Sequence, residues 1–248
     1  VLVAPAPLLE AAPMTEHKER AVVLLSGGLD SATTLAVALQ RNYEPWVLSF
    51  DYGQKASREL EAAAAICRSL GVEHHLILPL RLDSLVVSAL TSKEAMPSPE
   101  EIKRRFGIPD TYVPARNTVF LALALGFAES IGSYRVFIGA NDMDFSGYPD
   151  CRPEFFRAFN QLAGLATAEG VGGGRKVQVE TPLMNLSKGE IIRLGLSLGV
   201  DYGLTVSCYA PLPDGSPCLR CESCQIRIKG FRELGLPDPC CTPSSANR

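Results

Sequence analysis

An apolar run without polar alternation, Ala21–Leu25, breaks into Ser-Gly-Gly-Leu-Asp-Ser and resumes with helical length over Asp30–Arg41. No other stretch limits the fold as much. A strand with no polar face must be covered on both sides, which in a globular domain means a parallel sheet between layers of helix. The chain then keeps alternating. Strands are expected at Trp46–Phe50, Glu73–Leu78, Arg135–Gly139 and Lys176–Glu180, and helices at Ala56–Leu70, Thr118–Ser130, Pro153–Glu169 and Lys188–Leu198. Right-handed crossovers of this kind predict an α/β, doubly wound parallel sheet over residues 20–200. Ligands of such sheets gather at the carboxyl ends of the strands, so the loops after Leu25, Phe50, Gly139 and Glu180 should share one cleft.

The first of these loops suits an anion. Gly27 and Gly28 allow close backbone approach and left-handed dihedrals. Successive N–H groups form a concave nest, and the helix behind aims its positive end at the same spot. Ser26 and Ser31 add hydroxyls, while Asp30 is awkward beside an anion unless it caps the helix or helps hold Mg²⁺. The plain alternative is a strand-to-helix turn capped by Asp30 or Ser31. There is no Walker lysine and no spaced dinucleotide fingerprint.

After the second strand, Phe50 to Gln54 is a plain turn on its own residues. Arg116 and Asn117 open an apolar helix through Pro-Ala-Arg-Asn, which points Arg116 toward the helix mouth as a phosphate ligand and leaves Asn117 as a possible N-cap. The loop after Gly139 packs Asn141, Asp142, Asp144, Ser146, Tyr148, Asp150 and Arg152 into twelve residues, enough paired donors and acceptors for a polar heterocycle with a guanine-like face; the alternative is a solvated acidic loop with Asx turns. Cys151 has no histidine nearby to activate it and reads as structural. Lys188 starts a helix, where a cation opposes the dipole, so an anion is expected beside it; the plain alternative is a solvated lysine.

Cys208-x9-Cys218-x2-Cys221-x2-Cys224 falls within seventeen residues. The spacing suits a closed, structural Zn²⁺ site in a reducing compartment rather than disulfides or an iron–sulfur cluster. This defines a segment 201–234, followed by a proline-rich tail, 235–248, expected to be loose. Residues 1–19 are expected to be a disordered extension, its Val1–Pro13 part lying ahead of Met14, and residues 91–110 a mobile excursion or lid. The net charge of −3 and pI of about 5.7 argue against a general nucleic-acid binder. No apolar stretch reaches the ~18 residues of a membrane helix, so a cytoplasmic protein is expected.

The SGGLDS loop resembles the signature of the ATP-pyrophosphatase (PP-loop) superfamily. With "VPARN", "DFSGYPDCRPEF", "TPLMNLSKGEI" and "SCY" ahead of CxxCxxC and "KGF", the chain from about Ala21 to Phe231 is similar to the 7-cyano-7-deazaguanine synthase (QueC) family. That resemblance implies an adenine nucleotide alpha hydrolase-like (HUP) fold and an ATP- and Mg²⁺-dependent ligase. It implies nucleotide contacts along Leu25, Ser26, Gly27, Gly28, Leu29, Asp30, Ser31, Ala32, Thr33, Thr34 and Leu35, with adenine and ribose toward Phe50–Gln54. Ser26, Asp30, Ser31, Arg116 and Lys188 would be catalytic, and Asp144, Ser146, Tyr148, Asp150 and Arg152 would meet the deazapurine. The implied partners are 7-carboxy-7-deazaguanine, ATP and ammonia taken free, in a homodimer without nucleic acid or membrane. Two rival readings are a relative that hands the activated acid to a protein amine, and a zinc protein that holds nucleotide without turnover.

Overall fold

A computed structural model describes residues 18–53, 58–91, 102, 104–141 and 147–241. Outside these lie residues 1–17 of the expected extension, Gln54, much of the expected lid, Asp142, Asp144, Ser146 and the tail from 242.

The apolar run forms β1 (Arg20–Leu24), followed by α1 (Leu29–Gln40), β2 (Glu44–Asp51), α2 (Arg58–Ser69) and β3 (His74–Pro79). A two-stranded hairpin, β4 (Arg104–Arg105) with β5 (Ile108–Pro109), precedes α3 (Arg116–Ser130) and β6 (Arg135–Phe137). Then come α4 (Pro153–Ala166), α5 (Ala168–Val171), β7 (Gln178–Glu180), α6 (Lys188–Ser197) and α7 (Glu222–Glu233). The five-stranded sheet has the order β3-β2-β1-β6-β7 and every pairing in it is parallel.

Both faces of β1 are buried, as its composition requires. Ala21 and Val23 belong to a core with α1, α6 and α7 residues such as Leu35, Ile191 and Phe231. Val22 and Leu24 point the other way, into a core with Leu121 and Ala124 of α3 and Phe156 of α4. The chain runs outward from β1 in one direction through β2 and β3, and in the other through β6 and β7. The loops after β1 and β6 therefore diverge, and this switch point opens the cleft.

Three expectations needed correction. The strand expected to reach Gly139 stops at Phe137, because the following loop passes so close to α1 that a Cβ on Gly139 would lie 3.0 Å from the Asp30 carbonyl carbon and the Ser31 nitrogen. The helix expected over Pro153–Glu169 breaks at Thr167, whose extended backbone lets its hydroxyl accept from the Gly170 N–H and donate to Ala163. The tail expected to be loose from Gly235 is anchored at its start.

That anchor is a buried ion pair. Arg227 on α7 and Asp238 are 5% and 7% exposed and meet through two hydrogen bonds of 2.8 and 3.0 Å. Thr205, Ser207 and the Tyr202 carbonyl accept the remaining guanidinium protons. Asp238→Ala leaves this cation buried and unpaired, and is expected to cost about 3–5 kcal/mol in urea unfolding. An unchanged midpoint would mean the tail contributes nothing to stability.

Candidate nucleotide site and metal centre

A cavity of about 320 Å³ opens at the carboxyl ends of β1, β2 and β6. Its floor is the loop after β1. Gly27 sits at φ +87°, and a methyl there would overlap the Glu59 carbonyl oxygen, so the position is closed to any side chain. Two serines brace the loop: Ser31 Oγ donates to the Gly28 carbonyl at 3.0 Å, accepts from the Ser26 N–H at 3.2 Å and lies 3.1 Å from Ser26 Oγ. The α1 N-cap is Gly28, which offers no side-chain cap to the first-turn N–H groups. An uncapped helix start above a glycine nest has the geometry to receive an anion.

The puzzle of Asp30 resolves here. It caps nothing: Lys188, from the start of α6, donates to both its oxygens at 2.7 and 2.9 Å. The anion expected beside Lys188 is thus Asp30, 158 residues away in sequence. Ser187 holds α6 through a capping box with Glu190, which fixes where Lys188 begins. Of the run Leu25–Leu35, the cavity is lined by Leu25, Ser26, Gly28, Leu29, Asp30 and Ser31. Ala32, Thr33, Thr34 and Leu35 are buried away from it; Thr33 meets the Tyr202 hydroxyl at 2.7 Å and Thr34 donates to the Asp30 carbonyl. Only the first turn of a helix can face its own N-terminal ligand.

Arg116 lines the cavity. Ala115 adopts φ +56°, turning the chain so that the half-buried guanidinium stands 5.9 Å over the Tyr52 ring and donates to its hydroxyl at 3.4 Å. Asn117 is not the cap of α3. Its N–H donates to Asp150 Oδ2 at 2.9 Å, and its side-chain amide donates to the Asp150 carbonyl and to Cys151 Sγ. Asp150, expected on the substrate, is buried beneath this helix start and satisfies its orphan N–H. Burial raises its carboxyl, opposed by the Asn117 N–H and the Arg116 charge. Arg152 is exposed at the start of α4 and does not line the cavity, whereas Tyr148 does, with its hydroxyl on Thr111 at 2.9 Å.

Several lining residues leave no local signal. Phe50 stacks on Phe120 with centroids 4.1 Å apart, and Tyr52 tilts against the same ring, giving the cavity a flat aromatic wall. Tyr209 reaches in from the cysteine segment and is hydrogen-bonded to Tyr148. Glu59, in the first turn of α2, lines the cavity with its carboxyl pushed up to about 7 by burial, against the pull of Arg116.

The four sulfurs of Cys208, Cys218, Cys221 and Cys224 lie within 4.8 Å of one another. Tetrahedral zinc, with Zn–S of about 2.3 Å, needs sulfurs about 3.8 Å apart, so the cluster fits such an ion. Backbone N–H groups of Cys218 and Cys221 point at Cys208 and Cys218 Sγ at 3.3 and 3.4 Å, donors that favour thiolate. With all four ligands from protein, a zinc ion held here would have no open position for chemistry. The segment is tied to the phosphate loop by the Val206 N–H on the Gly27 carbonyl at 2.9 Å.

Fold and cavity define an α/β protein with a doubly wound parallel sheet and a cleft at its switch point. A family model described as "Queuosine biosynthesis protein QueC" matches residues 20–235. A 7-cyano-7-deazaguanine synthase of Solidesulfovibrio magneticus is 54% identical over 226 residues, covering 91% of this chain and 96% of that one. Another, of Pseudomonas fluorescens, is 53% identical over 230 residues, covering 91% and 98%. This chain belongs to the QueC family. Among solved structures, a 4-thiouridine synthetase–RNA complex with bound ATP is matched with TM-score 0.44 and 19% identity, over 88% of this chain and 50% of that one.

Proposed function

We propose that this chain is an ATP-dependent ligase that converts 7-carboxy-7-deazaguanine and ammonia to 7-cyano-7-deazaguanine in queuosine biosynthesis. The observation that carries the reading is the glycine nest opening, with Lys188 and Arg116, into a cavity walled by aromatic rings. The names of relatives more than 50% identical along nearly their whole length support the particular reaction. They give no support to transfer of the activated acid to a protein amine.

Pyrophosphate sits on the Ser26–Ser31 nest, with Lys188 and Arg116 offsetting charge as the α–β bond of ATP breaks. Mg²⁺ would be held by Asp30, the carboxylate on the nest's own helix, and would supply further charge neutralisation. The acid oxygen leaves as AMP when ammonia attacks, giving the amide; a second adenylation of the amide oxygen lets AMP leave again and the nitrile form. Phe50 and Tyr52 would meet adenine and ribose and Tyr148 the deazapurine, with Asp144 and Ser146, which lie outside the described residues, as further candidate substrate contacts; Asp150 acts from behind, through Asn117. Zinc on the four thiolates is structural. No helix among the described residues is long and apolar enough to cross a membrane. Thiolates kept for a metal suit a cytoplasmic setting, and the acidic balance suits small-molecule substrates without nucleic acid. A homodimer is tested by light scattering.

Incubation with the acid, ATP and ammonium is expected to yield the nitrile by mass spectrometry, with AMP released. AMP without nitrile, or no AMP at all, overturns the reaction or the turnover itself.

A further inference from the structure

Among the described residues three carboxylates line the cavity, Asp30, Glu59 and Glu222. Two have counterions. Lys188 holds both oxygens of Asp30, and Arg104 meets Glu222 at 3.2 Å. The Glu59 carboxylate makes no hydrogen bond or ion pair within the described part of the chain. Its backbone anchor is fixed, because α2 at Glu59 packs directly against Gly27 of the loop after β1. The charged and titratable groups acting on it are Arg116 from α3 and Tyr52 from the loop after β2. A half-buried carboxylate on an anchored backbone, lining the cavity with no hydrogen-bond or ion-pair partner among the described residues, is available to accept a proton.

We propose that Glu59 is the catalytic base that removes a nitrogen-bound proton in each half of the reaction, an inference that rests on the function proposed above. In the first half the ammonia lone pair forms the C–N bond, the C–O bond breaks onto AMP, and the excess proton on nitrogen passes to Glu59. In the second half, adenylation of the amide oxygen leaves an iminium nitrogen bearing two protons. One is lost to water. The other goes to Glu59 as its N–H electron pair becomes the third C–N bond and the C–O bond breaks onto AMP. Nothing is oxidised or reduced. A carboxyl held near 7 by burial is matched to this work, since a general base is most effective when its pKa lies near the working pH.

The test separates adenylation from elimination. Acid-dependent exchange of pyrophosphate into ATP reads the first alone; conversion of the amide to the nitrile reads the second, with no ammonia to titrate. In E59Q the conversion is expected to fall by about 10²–10³-fold and the exchange by less than about tenfold. The wild-type conversion rate should rise through about pH 7 as Glu59 ionises, and the E59Q profile should lose that limb. E59D, which keeps a base on a shorter stem, should restore part of the rate and the limb, and it carries the test should E59Q not fold. If exchange and conversion fall together, Glu59 serves ATP and the proposal is overturned; survival of the pH limb in E59Q overturns it equally. Absence of exchange in the wild-type enzyme would instead sink the proposed function.

Discussion

Asp30→Ala is expected to lower acid-dependent AMP formation by at least about 10²–10³-fold, the loss seen when one preorganised charge-stabilising group is removed, while zinc content stays at the wild-type level. The size of the effect follows from what Asp30 holds. Lys188 is an ammonium on a flexible four-carbon stem, and both Asp30 oxygens fix it over the nest at 2.7 and 2.9 Å. Without that carboxylate the ammonium is free to leave the position where charge builds on pyrophosphate, and the cost of re-ordering it falls on the transition state. The carboxylate on the nest's own helix, proposed for Mg²⁺, goes with it. Asp30→Asn keeps one acceptor for Lys188 and should lose less. The fold should tolerate either change, because the side chain borders the cavity and takes no part in either core. AMP assays with metal analysis read both halves of the prediction. Activity near the wild-type level in Asp30→Ala would mean the phosphates bind elsewhere.

The reach of the sequence ends where tertiary contact begins. The sheet strands and the helices of residues 20–200 were legible because burial on both faces of a strand and a 3.6-residue period leave marks in consecutive residues. The glycine nest after β1 was legible for the same reason: glycines, serines and the helix start are neighbours along the chain. The four cysteines were read from spacing alone. By contrast, the Asp30–Lys188 pair joins residues 158 apart, and what the sequence carried was only its symptom, a lysine on the wrong end of a helix. Glu59 looks like any solvated glutamate at a helix start until the fold wedges that helix under Gly27. Asp150 stood among hydrogen-bonding residues and invited a role on the substrate, yet its carboxylate completes the start of α3, a use visible only once that helix is seated. The hairpin of β4 and β5, two residues to a strand, is too short to show a period.

Cys224→Ser is expected to abolish zinc binding and, with it, catalysis. Structural zinc contributes on the order of 10 kcal/mol to small folds that depend on it, more than the whole stability of many domains. Here the ion would close a loop from Cys208 to Cys224 whose apolar content is small: its core consists of the cysteines themselves, with Tyr209 packed against them. Nothing else in that cluster can replace the missing ligand. The consequence for activity is geometric. Val206, Ser207, Tyr209 and Glu222 of this segment line the nucleotide cavity, and Val206 binds the Gly27 carbonyl. Loss of the metal should therefore open one wall of the cavity and admit water to the adenylate, while the sheet of residues 20–200 keeps its helices and strands. The expected result is a protease-resistant core with cleavage confined to the cysteine segment, zinc content near zero and no nitrile formed; Cys241→Ser, exposed and outside the cluster, should retain both metal and activity. Full zinc occupancy in Cys224→Ser, or activity surviving its loss, would show that the wall stands without the ion. Because the ligands must be deprotonated to bind, the wild-type protein should also release zinc as the pH falls and protons compete for the four sulfurs.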